Sequence, residues 1–186
     1  MARDRKKKIL QQIVLASVLA AGVTVLTFFV KIPAHNGYIH LGDALIYLAA
    51  TLLPTPLAML CAGIGGMLAD TLGGYTLYIV PTLIIKMLLV LPFSSKNEKV
   101  VSKRNLIALP IASVITAVGY YIAEAIILSV TSAGSIGHFA NYLFSPAPWT
   151  AAVYTFAGNI MQAVGSAAVF VPLAIALDKI NIKGKI

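Results

Sequence analysis

The most regular feature of the chain is a series of long apolar runs separated by short polar stretches. The apolar runs cover residues 9–30, 42–54, 57–72, 76–93, 105–130 and 149–178. A helix needs about 20 mostly apolar residues to cross the hydrocarbon part of a bilayer. Two of the runs, 42–54 and 57–72, are short for this and require tilting or burial inside a bundle. We therefore expect an all-α membrane protein with six transmembrane helices and a single domain over residues 1–186.

The polar stretches between the runs indicate where the helices end. Residues 31–41 form a polar, aromatic segment with a proline and a glycine, which predicts an irregular loop. Pro54 and Pro56 lie between the second and third runs, and prolines at this spacing predict a tight turn. The segments 94–104 and 131–148 are predicted to be the remaining long loops.

Composition narrows the class of protein. The chain of 186 residues is 59% hydrophobic and only 11% charged, and its mean hydropathy is +0.90. A soluble domain carries about 25% charged residues, and a disordered chain would have low hydrophobicity. Cys61 is the single cysteine, so neither an internal disulfide nor a zinc cluster is expected. We expect a polytopic membrane protein without a metal or other cofactor.

The positive charge indicates an orientation rather than a nucleic-acid partner. The net charge is +8, and 12 of the 14 Lys and Arg residues fall in three clusters at residues 3–8, 96–104 and 179–185. Basic loops stay on the cytoplasmic side of a membrane, and six spans place all three clusters there. We therefore predict cytoplasmic N- and C-termini in a cell membrane, the plasma membrane of a prokaryote. No aromatic residues alternate with these charges as a base-stacking surface requires.

Four ionisable residues stand apart from these clusters, because they lie within or at the ends of apolar runs. They are Asp43, Asp70, Lys86 and Glu124. Each costs about 2.5–3.5 kcal/mol at a helix centre, so each is expected to face the bundle interior or water. Lys86 is expected to pair with one of the acids. The pattern leaves open whether this is a structural ion pair, part of a ligand site or a proton relay.

Polar and aromatic residues collect on the predicted outer side of the bundle, where they suggest a pocket for a flat, polar small molecule. The predicted substrate-contacting residues are Tyr38, His40, Asp43, Tyr75, Tyr78, Lys86, Tyr120, Glu124, Trp149, Asn159 and Gln162. Two other interpretations remain open. The aromatic residues could form an interfacial belt, and Asn159 and Gln162 could make hydrogen bonds between helices.

Enzyme chemistry is not expected. The chain lacks the glycine-rich phosphate loop that ends in Gly-Lys-Ser/Thr, so it cannot hydrolyse ATP by itself. His35 and His40 lie on a predicted loop and His138 is remote, and this spacing specifies no metal site. No nucleophile motif organises the serines and histidines.

Several motifs resemble the substrate-binding S component of energy-coupling factor (ECF) vitamin transporters. Between Tyr38 and Lys86 the chain carries G-D-A, then A-D-x-L-G-G-Y, then P-T-x-x-I-K. The first helix carries A-S-V-L-A from Ala16 to Ala20, similar to the family's A-x-x-x-A motif. The last helix carries N-I-M-Q-A-V-G-S-A from Asn159 to Ala167, which is also similar to the family.

The resemblance implies a six-helix subunit that captures a water-soluble vitamin or precursor from outside the cell. A coupling transmembrane subunit and two cytoplasmic ATPase subunits would drive its release. Ala16 and Ala20 would contact the coupling subunit, and Asn159 would line the pocket. The implied substrates are heteroaromatic, of the riboflavin, hydroxymethylpyrimidine or pyridoxine type.

Two other functions are compatible with the same residues. A stand-alone carrier could use Asp43, Asp70, Lys86 and Glu124 to couple uptake to ions or protons. A membrane enzyme acting on lipid or isoprenoid substrates is a further alternative, suggested by the buried acids. Such an enzyme would need its acids near the cytoplasmic or bilayer surface, whereas the predicted topology puts them outside.

Overall fold

The computed structural model describes residues 2–34, 37–134 and 136–185. This part of the chain is an all-α bundle with one small β-hairpin. The elements in chain order are α1 (Ala2–Phe29), β1 (Lys31–Ala34), β2 (Gly37–His40), α2 (Asp43–Leu52), α3 (Thr55–Gly73), a 3₁₀ turn (Thr76–Tyr78), α4 (Ile79–Leu88), α5 (Lys103–Ser132), α6 (Ile136–Leu143), α7 (Pro146–Lys179) and a second 3₁₀ turn (Ile182–Gly184).

Four of these helices, α1, α3, α5 and α7, are long and apolar enough to cross a membrane. The helices α2 and α4 have only 10 residues each, or about 15 Å. Both are largely apolar, and α2 lies almost wholly inside the bundle. The all-α prediction is confirmed, while six full spans and the position of the termini remain predictions.

The predicted helix boundaries are mostly correct in the middle of the chain. The helix α2 ends at Leu52 and α3 begins at Thr55, with Pro56 in its first turn, where the missing N–H costs nothing. Gly74 ends α3 with φ +76°, a left-handed conformation that favours glycine. The fourth helix is shorter than predicted, because α4 ends at Leu88 and turns follow it.

Within the segment 31–41, residues 31–34 and 37–40 form strands, so the prediction of an irregular loop is wrong for them. The strands β1 and β2 pair in antiparallel register, with Lys31 opposite His40 and Ile32 opposite Ile39. The β-branched residues at this pair favour extended backbone. The hairpin directly joins α1 to α2 and therefore lies at one end of the bundle. We call this end, with the start of α2 and the Thr76–Tyr78 turn, the hairpin end.

The segment 131–148 also contains a helix that the sequence prediction missed. This helix, α6, runs from Ile136 to Leu143, and its apolar residues recur at helical spacing. Pro146 then starts α7, where proline is tolerated because the first N–H groups have no intrahelical partner. The surrounding glycines and prolines had suggested a loop throughout.

Small residues allow α3 to pack closely on its neighbours. Ala58 and Ala62 are fully buried, so these small residues of α3 pack inside the bundle. A Cβ added at Gly65 would lie 2.8 Å from Cβ of Val23 on α1, and one at Gly66 would lie 2.9 Å from Cγ of Lys86 on α4. Only glycine leaves room for these two close contacts between helices. The contact at Gly66 packs α3 directly against the buried side chain of Lys86.

The three basic clusters, residues 3–8, 96–104 and 179–185, meet at the other end of the bundle, which we call the basic end. Side chains from all three clusters line one cavity of about 510 Å³, among them Lys8, Glu98 and Lys183. The leucines of the α2–α3 turn form part of its wall. The described residues near both ends of the chain therefore lie at this end of the bundle, an arrangement that a four- or six-helix count would each give.

Candidate substrate site

Polar pairs connect the Thr76–Tyr78 turn and α4 to α5. The hydroxyl of Tyr78 donates a hydrogen bond to Oε2 of Glu124. One turn deeper, the hydroxyls of Thr82 and Tyr120 lie 3.0 Å apart. Because residues four apart share a helix face, the antiparallel packing brings these pairs into one row. The next position in this row is Lys86.

Lys86 forms an ion pair with Asp43 inside the bundle. The Nζ atom lies 2.6 Å from Oδ1, and the two side chains are 1% and 0% exposed. This confirms the prediction that Lys86 pairs with an acid. The same Nζ lies 5.3 Å from the ring centroid of Tyr120, within the range of a cation–π contact.

The second oxygen of Asp43 is bound by α7. The Nε2 group of Gln162 donates to Oδ2 of Asp43 at 2.9 Å. The other end of the same amide, Oε1, accepts a hydrogen bond of 3.3 Å from the backbone N–H of His40. Gln162 is 2% exposed. One side chain of α7 thus joins α2 to β2.

The imidazole of His40 completes this connection. Its Nδ1 accepts a hydrogen bond from the N–H of Gly42 at 3.1 Å, and the hydroxyl of Thr27 lies 3.4 Å from the same nitrogen. A side chain at Gly42 would overlap Thr27 Oγ1, so this position requires glycine. These contacts explain the G-D-A motif. Its glycine leaves room for Thr27 of α1, and its aspartate forms the ion pair with Lys86.

The fourth ionisable residue, Asp70, lies on the same side of α3. It is 5% exposed and stands one turn after Gly66, which contacts Thr82 and Lys86. Since positions four apart share a face, Asp70 belongs to the face of α3 that packs on α4. All four ionisable residues that lie in the apolar runs are therefore buried, and they lie in the half of the bundle nearer the hairpin end.

A family model for the S component of ECF-type riboflavin transporters matches residues 7–179. The chain belongs to this family. The match covers α1 through α7 and confirms the resemblance seen in the motifs. No curated protein matches the chain.

Family membership makes this S component a membrane protein of vitamin uptake. The family is one of transporter subunits rather than enzymes, and its members work with a coupling subunit and ATPase subunits. Within the described ranges 2–34, 37–134 and 136–185, no three His, Cys, Asp or Glu side chains are placed to hold a metal ion.

Several predicted site residues have other partners in this S component. The indole N–H of Trp149 donates to the carbonyl of Leu143 at 2.7 Å, and its ring lies 5.6 Å from that of Tyr121. Trp149 therefore joins α6, α7 and α5. The side chain of Asn159 donates to the carbonyl of Thr155 in its own helix.

Tyrosines occupy the surface of the site. The rings of Tyr75 and Tyr78 meet edge to face, with centroids 6.4 Å apart. The ammonium group of Lys31 lies 5.8 Å from the Tyr75 ring, which joins β1 to the turn before α4. The backbone of Tyr38 belongs to β2, but its side chain lies outside the part of the chain that the structure describes.

Sequence reasoning missed Thr27, Gly42 and Thr82 as site residues. The spacing Tyr78, Thr82, Lys86 could have identified Thr82, because all three positions fall on one helix face. Thr27 lies at the end of an apolar helix among phenylalanines, and no local pattern marks it. Its contact becomes visible only once α1 and α2 are packed together.

Proposed function

We propose that this S component captures riboflavin at the hairpin end of the bundle. The observation that carries the proposal is the row of tyrosine hydroxyl pairs, Tyr78 with Glu124 and Tyr120 with Thr82. Phenol rings stack on a flat heteroaromatic ring, and polar groups beside them bind its edges. The riboflavin-type family of the chain supports the same substrate.

The charges near the site also favour an uncharged ring system. Lys86 is neutralised by Asp43 at 2.6 Å, and Glu124 accepts a hydrogen bond from Tyr78. A phosphate or carboxylate group on the substrate would have to break the first pair to reach its cation. Riboflavin, hydroxymethylpyrimidine and pyridoxine all satisfy this condition, and riboflavin offers the largest stacking area.

The proposed orientation places the hairpin end outside the cell and the basic end in the cytoplasm, in a multi-pass arrangement. The cationic clusters at the basic end support it, because such clusters stay cytoplasmic. A coupling transmembrane subunit and two ATPase subunits would energise release, as in the family. The basic end offers them, or anionic lipid headgroups, a positive surface.

The contact with the coupling subunit is proposed to lie along α1. Ala16 is only 6% exposed and belongs to the core, and Ala20 is half-buried. Ser17 and Ala21 are exposed and form a small-residue stripe on the adjoining face, which lets another membrane helix approach closely. We propose that the partner reaches Ala20 from this side, while contact with Ala16 requires α1 to shift.

The substrate proposal is tested by small molecules retained during purification. Mass spectrometry of the protein purified in mild detergent should detect riboflavin, and added riboflavin should lose its fluorescence on binding. Titrations with hydroxymethylpyrimidine and pyridoxine provide the comparison. Retention of either of these in place of riboflavin would show that the choice of vitamin is wrong.

The coupling proposal is tested separately by transport. Cells that contain the S component together with the coupling and ATPase subunits should take up labelled riboflavin, and cells that contain the S component alone should not. Uptake by the purified protein alone in liposomes, driven by an ion gradient, would instead identify a stand-alone carrier.

A further inference from the structure

The amide of Gln162 has both of its ends engaged inside the protein. Oε1 accepts the N–H of His40 in β2, and Nε2 donates to Asp43 in α2. With Lys86 on the other oxygen of Asp43, four elements meet around two side chains: β2, α2, α4 and α7. Gln162, Asp43 and Lys86 are predicted substrate-contacting residues, and their polar groups bond one another.

We infer that Gln162 is a positioning residue that fastens the hairpin to the bundle beside the substrate site. Its two hydrogen bonds set the distance between β2 and the buried Asp43–Lys86 pair. The inference rests on the proposed function only in placing a substrate site beside the hairpin. The hydrogen bonds that fasten the hairpin to the bundle are present without substrate.

The packing around β2 supports a fastening at this point. Ile39, next to His40, faces α7 where Gly158 leaves space: a Cβ there would stand 3.9 Å from the isoleucine side chain. The contact of β2 with α7 is therefore mainly apolar around Gly158, and Gln162 supplies the polar bond one turn further along. One hydrogen bond of Gln162 holds His40, the last residue of β2, against α7, and the other holds Asp43 at the start of α2.

The fastening can be measured through the accessibility of β2 to a thiol reagent. The protein is prepared with Cys61→Ala, which removes the buried native thiol, and Ile39→Cys, which places a thiol against α7. The rate of maleimide labelling is measured without riboflavin, well below the unfolding temperature. Adding Gln162→Met should raise this rate about tenfold, because loss of both bonds frees β2 locally.

A matched control and a rescue separate fastening from general damage. Asn159 lies one turn away on α7, and its side chain donates to the carbonyl of Thr155 in its own helix, so Asn159→Ala should leave labelling unchanged. Asp43→Asn or Gln162→Glu alone should raise the labelling rate. The two together reverse the donor and acceptor and keep one negative charge in the buried cluster, moved from position 43 to position 162, so labelling should return to within about threefold of the parent.

Hydrogen exchange on the unmodified protein gives a second measurement that needs no variant. The amide of His40 should exchange slowly, because its N–H is bonded to a 2%-exposed side chain. Fast exchange at His40 would overturn the inference, even if Gln162→Met failed to fold.

Riboflavin binding distinguishes this inference from the proposed function. If the parent protein does not bind riboflavin but Gln162→Met accelerates labelling, the proposed function fails and the fastening stands. If Gln162→Met abolishes riboflavin binding while labelling at position 39 is unchanged, Gln162 is a direct ligand and the inference is overturned. Failure of the exchanged pair to restore protection would overturn it as well.

Discussion

Different kinds of hydrogen bond stabilise the hairpin end and the basic end of the bundle. At the hairpin end, side chains bond one another across the bundle, as between Tyr78 and Glu124 or Lys86 and Asp43. At the basic end, side chains bond the backbone of the 94–104 loop. The first arrangement depends on particular pairs, whereas the second fixes the course of the chain.

The basic end shows this backbone bonding in three places. The carboxylate of Asp178 accepts the N–H groups of Val100 and Val101 at 2.7 and 2.9 Å. The amide of Asn105, which is fully buried, bonds both the N–H and the carbonyl of Ser94. The ammonium group of Lys183 donates to the carbonyls of residues 95 and 97. This loop has a defined shape despite its four cations.

The difference suggests that the two ends of the bundle have different roles. Side-chain pairs can exchange partners without moving the backbone, which suits an end that must admit and release a substrate. Backbone bonds hold a loop in one shape, which suits an end on which partner subunits dock. Four substitutions test this comparison.

The largest effect is expected for Lys86→Met, which leaves Asp43 charged and unpaired in a buried site. Removing one partner of a buried ion pair costs about 3–5 kcal/mol, so the unfolding temperature in detergent should fall sharply. Adding Asp43→Asn should recover part of the loss. If Lys86→Met is as stable as the parent, the pair does not hold the hairpin end together.

Asp178→Ala is expected to have the next largest effect, and to confine it to the basic end. Hydrogen bonds to a charged group contribute about 1.5–3 kcal/mol, and two backbone N–H groups lose their acceptor. Trypsin should then cleave the lysine-rich 94–104 loop faster, with riboflavin affinity unchanged. The exposed Glu98 offers a control in the same loop, Glu98→Gln, which should leave cleavage as it is.

Tyr78→Phe should act at the hairpin end, with a smaller effect on stability. Loss of the hydrogen bond to Glu124 costs about 1 kcal/mol, which corresponds to about a fivefold weaker riboflavin affinity if the pair contacts substrate. Tyr154→Phe is the matched control, because Tyr154 is 70% exposed. If the Tyr78→Phe variant and the parent bind riboflavin with equal affinity, the hydroxyl of Tyr78 does not contribute to the substrate site.

The smallest effect is expected for Lys183→Met and should depend on pH. Burial lowers the pKa of the Lys183 ammonium group below its ordinary value of 10.5. The unfolded chain therefore binds this proton more tightly, and the contribution of Lys183 to stability increases as the pH rises toward that value. Between about pH 8 and pH 10 the parent should gain stability relative to the variant. A constant difference in Tm would contradict the assignment.

The sequence was sufficient to predict the four long helices and one buried contact. Long apolar runs located α1, α3, α5 and α7, since the period of apolar residues and their length are local properties. The expectation that Lys86 pairs with an acid followed from the cost of a buried charge. The choice of Asp43 among three acids did not follow, because it depends on how α2 and α4 pack.

The parts that could not be predicted depend on contacts distant in sequence. Residues 31–34 and 37–40 pair as strands between α1 and α2, and α6 was hidden by surrounding glycines and prolines. Asp178 and Asn105 had no local signal, since their partners are backbone groups up to 78 residues away. Gln162 was selected for its polarity, but its two partners lie more than 100 residues before it.

The length of α7 gives the molecule a mechanical property. With 34 residues the helix is about 51 Å long, well beyond the roughly 30 Å of the hydrocarbon layer. Gln162 and Asp178, its attachments to the hairpin and to the basic loop, are about 24 Å apart along its axis. A tilt of about 10° would displace one relative to the other by about 4 Å. A tilt of α7 therefore moves the hairpin and the basic loop relative to each other. Pro172 lacks an N–H, so the helix bends most easily there.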